Sequence, residues 1–192
     1  HKGNGIIQYT PNNDFPTGHK PEIDVCSYYV DDDSKLSSEE AFIYIEVLPE
    51  NDPPVLAEIK DITFEEDTPD TFSITTSATD EENDLLQFSC EQIINPGDEA
   101  NVFCDVVGLE DTFSAQISFS NREHFNGTEF VRIIVSDDPY DGRDTLDVLV
   151  TVFPTPDLPM FEGLDDFTLE EDTPDTLLIM ASDPDIEKSL TF

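Results

Sequence analysis

Apolar and polar residues alternate along most of this chain. Ile43, Ile45 and Val47 alternate with Tyr44 and Glu46, and Phe72 and Ile74 do the same before Ser77. Val131, Ile133 and Val135 flank Arg132, while Leu146, Val148, Val150 and Val152 surround Asp147 and Thr151. A period of two is that of a half-buried β-strand, whose side chains point to opposite faces in turn. Between the runs stand turn-forming strings such as Asn95-Pro96-Gly97-Asp98, Asn126-Gly127 and Asp138-Pro139-Tyr140-Asp141-Gly142. Seven strands are predicted in the middle of the chain, near Ile62, Phe72, Leu85, Val102, Ala115, Val131 and Val148. Short alternating strands at this spacing argue for a two-sheet antiparallel sandwich of immunoglobulin-like, Greek-key type, with almost no helix.

The alternation is superimposed on a longer period. Glu-Glu-Asp-Thr-Pro-Asp-Thr occurs at Glu65–Thr71 and again at Glu170–Thr176, a spacing of 105 residues (65 to 170). At the same spacing Asn51-Asp52-Pro53-Pro54 matches Pro156-Asp157-Leu158-Pro159, Pro49 matches Pro154, and Val30-Asp31-Asp32-Asp33 matches Val135-Ser136-Asp137-Asp138. That interval is the size of one small β-sandwich. The reading is a tandem array: residues 51–155 form one complete unit, 1–50 the second half of the unit before, and 156–192 the first third of the unit after. The chain is accordingly expected to be a window on a longer array.

Charge adds a second constraint. The 192 residues include 45 Asp and Glu against 8 Lys and Arg, a net charge of −37. With 37% hydrophobic residues and 14 Phe the chain can build cores, unlike a disordered acidic tail. Self-repulsion on that scale still opposes compaction and calls for an offset, either screening by a salty medium or bound cations. Binding to nucleic acid or anionic lipid is electrostatically disfavoured, and no nucleic-acid partner is expected. What recurs at the 105-residue spacing is mainly carboxylates and prolines, so a charged site travels with the fold.

Reactive groups are few. Cys90 and Cys104 lie 14 residues apart, on neighbouring strands or the loop between them. A disulfide there would mean an oxidising compartment and leave Cys26 odd; three reduced, buried thiols are the alternative. Asn126-Gly127-Thr128 is a glycosylation sequon. His1, His19 and His124 stand apart with no nucleophile pattern, phosphate loop or CxxC near them, so the chain is expected not to be an enzyme. Scattered cysteines and hard oxygen donors argue against zinc. The absence of Trp lowers a carbohydrate-binding reading.

Several segments resemble one family, the cadherin-like tandem repeats of cadherins and large surface adhesins. Glu50-Asn51-Asp52-Pro53-Pro54 is similar to its inter-repeat linker, and Glu66-Asp67-Thr68-Pro69 to the acidic segment after its first strand. Ala78-Thr79-Asp80-Glu81-Glu82 and Ala181-Ser182-Asp183-Pro184-Asp185 resemble its Ala-x-Asp-x-Asp segment. Asn121-Arg122-Glu123 resembles its Asp-Arg-Glu, and Val135-Ser136-Asp137 its later lone Asp. The residues from Gly3 to Phe15 are more similar to the microbial adhesin version than to animal cadherins. Departures are Asn121 and Glu82 in place of Asp, and a second linker, Thr155-Pro156-Asp157, without Asn.

The resemblance implies Ca²⁺ at the junctions between units, where end loops and linker can together supply the six to eight oxygens the ion takes. At the first junction the implied ligands are Asn51 and Asp52 in the linker with Asp80, Glu82 and Asp137 above it. At the second they are Glu66 and Glu123 below, Asp157 in the linker, and Asp183 and Asp185 above. The x of Asp-x-Asp lets two carboxylates of an extended segment point the same way. The implied function is a calcium-rigidified adhesion or spacer stalk at the cell surface or outside the cell. Its partners would be calcium ions, neighbouring repeats, and further adhesin or cadherin copies or surface ligands, with any membrane anchor outside this chain. The competing reading is a metal-free acidic β-sandwich stalk adapted to high salt.

Overall fold

A computed structural model describes residues 5–67, 72–137, 139–163, 166, 168–185 and 189–191. The Thr68–Thr71 part of the first repeated string, and Asp138 of the acidic turn, lie outside them. Every regular element among the described residues is a strand. In chain order they are β1 Glu22–Tyr28, β2 Ala41–Val47, β3 Val55–Leu56, β4 Ile62–Glu65, β5 Phe72–Thr79 and β6 Gln87–Ile93. There follow β7 Val102–Gly108, β8 Ser114–Asn121, β9 Gly127–Ser136, β10 Arg143–Phe153, β11 Met160–Glu162 and β12 Met180–Ser182. No helix among the described residues is long and apolar enough to cross a membrane.

Strands β3 to β10 build the middle of the molecule as two four-stranded sheets, ordered β3-β5-β8-β7 and β4-β10-β9-β6. This is an immunoglobulin-like sandwich. Alternation places one face of each strand in a shared core: Ile117 and Phe119 of β8, Val131, Ile133 and Val135 of β9, and Val148, Val150 and Val152 of β10 are almost wholly buried. Leu56, Ile62, Ala78, Leu86 and Val102 complete it. Their polar neighbours face out, and on that outer surface Arg132 of β9 reaches Asp147 of β10 through two bonds of 2.7 and 3.0 Å.

Two features differ from the alternation reading. The strand expected near Leu85 begins at Gln87, and it is Leu86 that turns into the core. The first strand is also divided. Val55-Leu56 pairs antiparallel with β5, whereas Ile62–Glu65 crosses to the other sheet and runs parallel to β10. Local alternation cannot show such a switch, because the partner of β4 lies nearly ninety residues ahead, with Ile62 opposite Val150.

Cys90 of β6 and Cys104 of β7 are joined by a disulfide. These are edge strands of opposite sheets, so the bond ties the two layers together along one open side. Cys26 is free.

The flanking strands repeat the pairing of the middle unit. In the β1–β2 hairpin Glu22 lies opposite Val47, and in β9–β10 Gly127 lies opposite Val152, each residue displaced by the same 105 positions. In β11–β12 Met160 lies opposite Ser182, matching Val55 opposite Thr79 once two residues are removed from the longer stretch between the strands. Alternation persists in β2, but its inward side chains are only half-buried, since no second sheet covers them.

Candidate metal centres at the two ends of the sandwich

At one end of the sandwich meet the linker before β3, the loop after β5 and the turn from β9 to β10. Asp137, at the start of that turn, is 0% exposed. Its backbone is fixed by Asp137 N–H donating to the Gly142 carbonyl (3.2 Å) and Tyr140 N–H to the Asp137 carbonyl (2.9 Å). Gly142 is required here by space, because a Cβ on it would lie 2.3 Å from Asp137 Oδ2. That same oxygen accepts a bond from Asn51 Nδ2 at 2.8 Å, while Oδ1 is buried with no donor. Asp80, 9% exposed, accepts Asp84 N–H on Oδ1 at 2.8 Å and leaves Oδ2 without a donor. Asn51 Oδ1 and Glu82 Oε2 are buried in the same condition.

Asp80, Glu82 and Asp84 bring one carboxylate oxygen each within 4.8 Å of the others, as do Asp14, Asp52 and Glu81. Loss of some hydration among its neighbours, and then the carboxylates of Asp14, Asp52, Glu82 and Asp80, raise the exposed Glu81 above its ordinary pKa. The preceding segment also touches this end through His19. Its Nε2 lies 2.7 and 2.8 Å from the two oxygens of Asp84, and its ring stacks on Tyr140 at 4.0 Å.

The opposite end is built around Glu66, which follows β4 and is 1% exposed. Its backbone N–H donates to the Phe153 carbonyl, and its Oε1 accepts from Thr155 N–H (2.9 Å) and Asn126 Nδ2 (3.4 Å). Its Oε2 is buried with no donor. The Glu66, Asp157 and Asp185 carboxylates approach within 4.8 Å of one another. Asp157 N–H donates to Asp185 Oδ2 (3.0 Å), and Asp185 N–H to Asp183 Oδ1 (2.9 Å), so the linker and the loop after β12 are already gathered here. His124 Nδ1 lies 2.9 Å from Asp157 Oδ2 and 3.8 Å from Asp67 Oδ2. Burial alone would lower the imidazole pKa, but Asp157, Asp67 and Glu123 outweigh it and raise it.

Nine of the ten residues named from sequence therefore fall into two groups. Asn51 and Asp137 touch, Asp80 and Glu82 share a cluster, and Asp52 joins Asp14 and Glu81 at the first end. Glu66, Asp157 and Asp185 converge at the second, with Asp183 one bond behind. Glu123 is not drawn in: its side chain is 85% exposed and, among the described residues, meets the ring of His124 at 3.7 Å. Sequence reading missed Asp14, Asp67, Glu81, Asp84 and His124. For Asp84 a signal existed, since Asp80, Glu82 and Asp84 alternate in one short segment.

These oxygens have a common chemistry. Carboxylate and amide oxygens only accept, and a buried acceptor with neither donor nor cation costs free energy. Six buried side-chain oxygens without a donor occur among the described residues, and five belong to Asn51, Glu66, Asp80, Glu82 and Asp137. The sixth, Thr76 Oγ1, sits within β5. Hard divalent cations take such oxygen sets.

No protein-family model and no curated protein matches the chain. Among solved structures, an endo-fucoidan hydrolase of glycoside hydrolase family 107 is similar over 68% of this chain and 18% of its own, at 18% identity and a TM-score of 0.38. A single-substitution variant of it aligns over 72% of this chain and 19% of its own, at 17% identity and a TM-score of 0.38. The tandem immunoglobulin domains of titin align over 69% of this chain and 63% of theirs, at 8% identity and a TM-score of 0.34. The chain thus spans only a small part of the hydrolase it matches.

Proposed function

We propose that this chain is a segment of a surface or secreted stalk of cadherin-like repeats whose junctions are stiffened by Ca²⁺, and that it is not an enzyme. The carrying observation is the set of five donorless, buried carboxylate and amide oxygens, which lie at the two ends of one sandwich; the other such oxygen among the described residues, the Thr76 hydroxyl, sits within β5. Both ends also draw residues from the flanking segment: Asp14 and His19 at the first, Asp157 and Asp185 at the second. A cation bound there replaces carboxylate repulsion with ligation and joins consecutive units. The net charge of −37 gives it a second role as counter-charge. Extracellular sites of this kind bind in the 10⁻⁴–10⁻³ M range. The Cys90–Cys104 bond favours an oxidising, extracellular setting. In this reading 1–50, 51–155 and 156–192 are half, whole and third of successive repeats, and the partners are calcium, adjoining repeats, and other copies or surface ligands.

The test compares thermal melting and small-angle scattering in millimolar Ca²⁺ with Na⁺ at matched ionic strength. Specific binding raises the melting temperature and lengthens or narrows the distribution of end-to-end distances beyond what Na⁺ achieves. Equal responses to the two salts would favour the metal-free stalk whose acidity only suits a salty medium.

A further inference from the structure

The second end of the sandwich contains a donor that an all-oxygen calcium site does not use. His124, Asp67 and Asp157 present one ligand atom each, all within 4.8 Å of one another. Sequence alone argued against zinc because the cysteines are scattered and the acidic donors are hard oxygens, yet folding brings one imidazole to two carboxylates. We propose that Asp67, His124 and Asp157 form a site for a borderline divalent transition metal of the zinc class, sharing Asp157 with the hard-cation set of Glu66 and Asp185.

Two independent observations carry this. The first is the donor set. Imidazole nitrogen suits Zn²⁺, Ni²⁺ and Cu²⁺, whereas Ca²⁺ takes oxygen. One nitrogen with two carboxylate oxygens leaves a fourth position for water in a tetrahedral shell. With bonds of about 2.0–2.2 Å the ligand atoms of such a shell stand roughly 3.3–3.6 Å apart. His124 Nδ1 is 2.9 Å from Asp157 Oδ2 and 3.8 Å from Asp67 Oδ2, so this spacing is reached by small side-chain rotations. The second is Glu66, whose carboxylate is buried, lies within 4.8 Å of Asp157 and keeps Oε2 without a donor. A buried acceptor beside the shared Asp157 marks this end as one built to meet positive charge. At the first end no described histidine is grouped with Asp80, Glu82 and Asp84; of those three carboxylates His19 pairs with Asp84. The two junctions would then differ in the cations they select.

The site shares Asp157 with the proposed function but is read without calcium. The test titrates the full chain, freed of divalent ions, with Zn²⁺ by calorimetry and with Co²⁺ by visible absorption. One equivalent is expected, with Co²⁺ bands of a low-coordinate site containing nitrogen. His124→Gln is expected to weaken Zn²⁺ at least about tenfold, the scale of a lost metal-site contact, and to reduce the Ca²⁺-induced melting shift far less, through its contact with Asp157 alone. Asp157→Asn is expected to weaken both. Zn²⁺ binding that is indifferent to His124→Gln, binding lost instead on His19→Gln, or no binding at all would overturn the proposal. A His124-dependent Zn²⁺ site in a chain that ignores Ca²⁺ would uphold it and remove the calcium stalk.

Discussion

Asp137→Asn should reverse sign between calcium-free and calcium-loaded protein. The carboxylate is fully buried, with one oxygen bonded to Asn51 Nδ2 at 2.8 Å and the other without a donor. Asn keeps the shape and, with its amide oxygen turned to Asn51, keeps that bond, while removing a buried charge. An unsatisfied buried polar group costs about 1–3 kcal/mol, and more when charged. Without divalent ions the variant is therefore expected to be more stable by about that amount, or roughly 4–8 °C per kcal/mol for a domain of this size. With calcium the order changes as long as that gain is below about 2.3 kcal/mol, the difference between the two mass-action increments. Wild type at a hundredfold excess over Kd gains about 2.7 kcal/mol by mass action. A hundredfold loss of affinity on removing one charged ligand leaves the variant about 0.4 kcal/mol at the same concentration. Calorimetric melts in chelator and in Ca²⁺, at one ionic strength, measure both increments. A variant that melts lower than wild type in chelator yet keeps the full calcium shift would refute the reasoning, since Asp137 would then be neither a buried repulsive charge nor a ligand.

Gly142→Ala places a Cβ 2.3 Å from Asp137 Oδ2, so the carboxylate must move. A loss of about 1–3 kcal/mol, as for other overpacked sites, and a diminished calcium shift are expected in the same melts. Reducing Cys90–Cys104, or replacing both by Ser, releases a short loop between the two sheet edges. The expected cost is about 3 kcal/mol, read by urea unfolding with and without reductant. Asp147 is held below its ordinary pKa by the hydrogen bond from Arg132 and by that residue's charge, against the opposing effect of burial. Because the folded pKa is the lower one, the contribution is present above about pH 3.9 and is lost as the pH falls through the folded value. The stability gap between wild type and Asp147→Asn should close on acidification over that window; a gap unchanged down to pH 2 would contradict the pairing.

The strands were legible because alternation is a local property. Val131, Ile133 and Val135 face the core for the same reason that Arg132 faces out, and no distant contact is needed to see it. The 105-residue spacing likewise carried the pairing of β1 with β2, because the same side chains at the same separations select the same register. The clustering of acids in the linkers and in the loops after β5 and β12 was equally visible. What sequence could not decide was everything set by the meeting of remote segments. The division of the first strand depends on β10 offering a free edge to Ile62. The disulfide depends on β6 and β7 being edges of facing sheets, which a separation of 14 residues leaves open. Asn51 meets Asp137 across 86 positions. Glu123 and His124 are neighbours in the chain, yet one carboxylate points to solvent while the imidazole settles between Asp67 and Asp157. Strand patterns follow from backbone geometry alone, whereas a site at the end of a sandwich exists only once packing of the two sheets has fixed where their loops emerge.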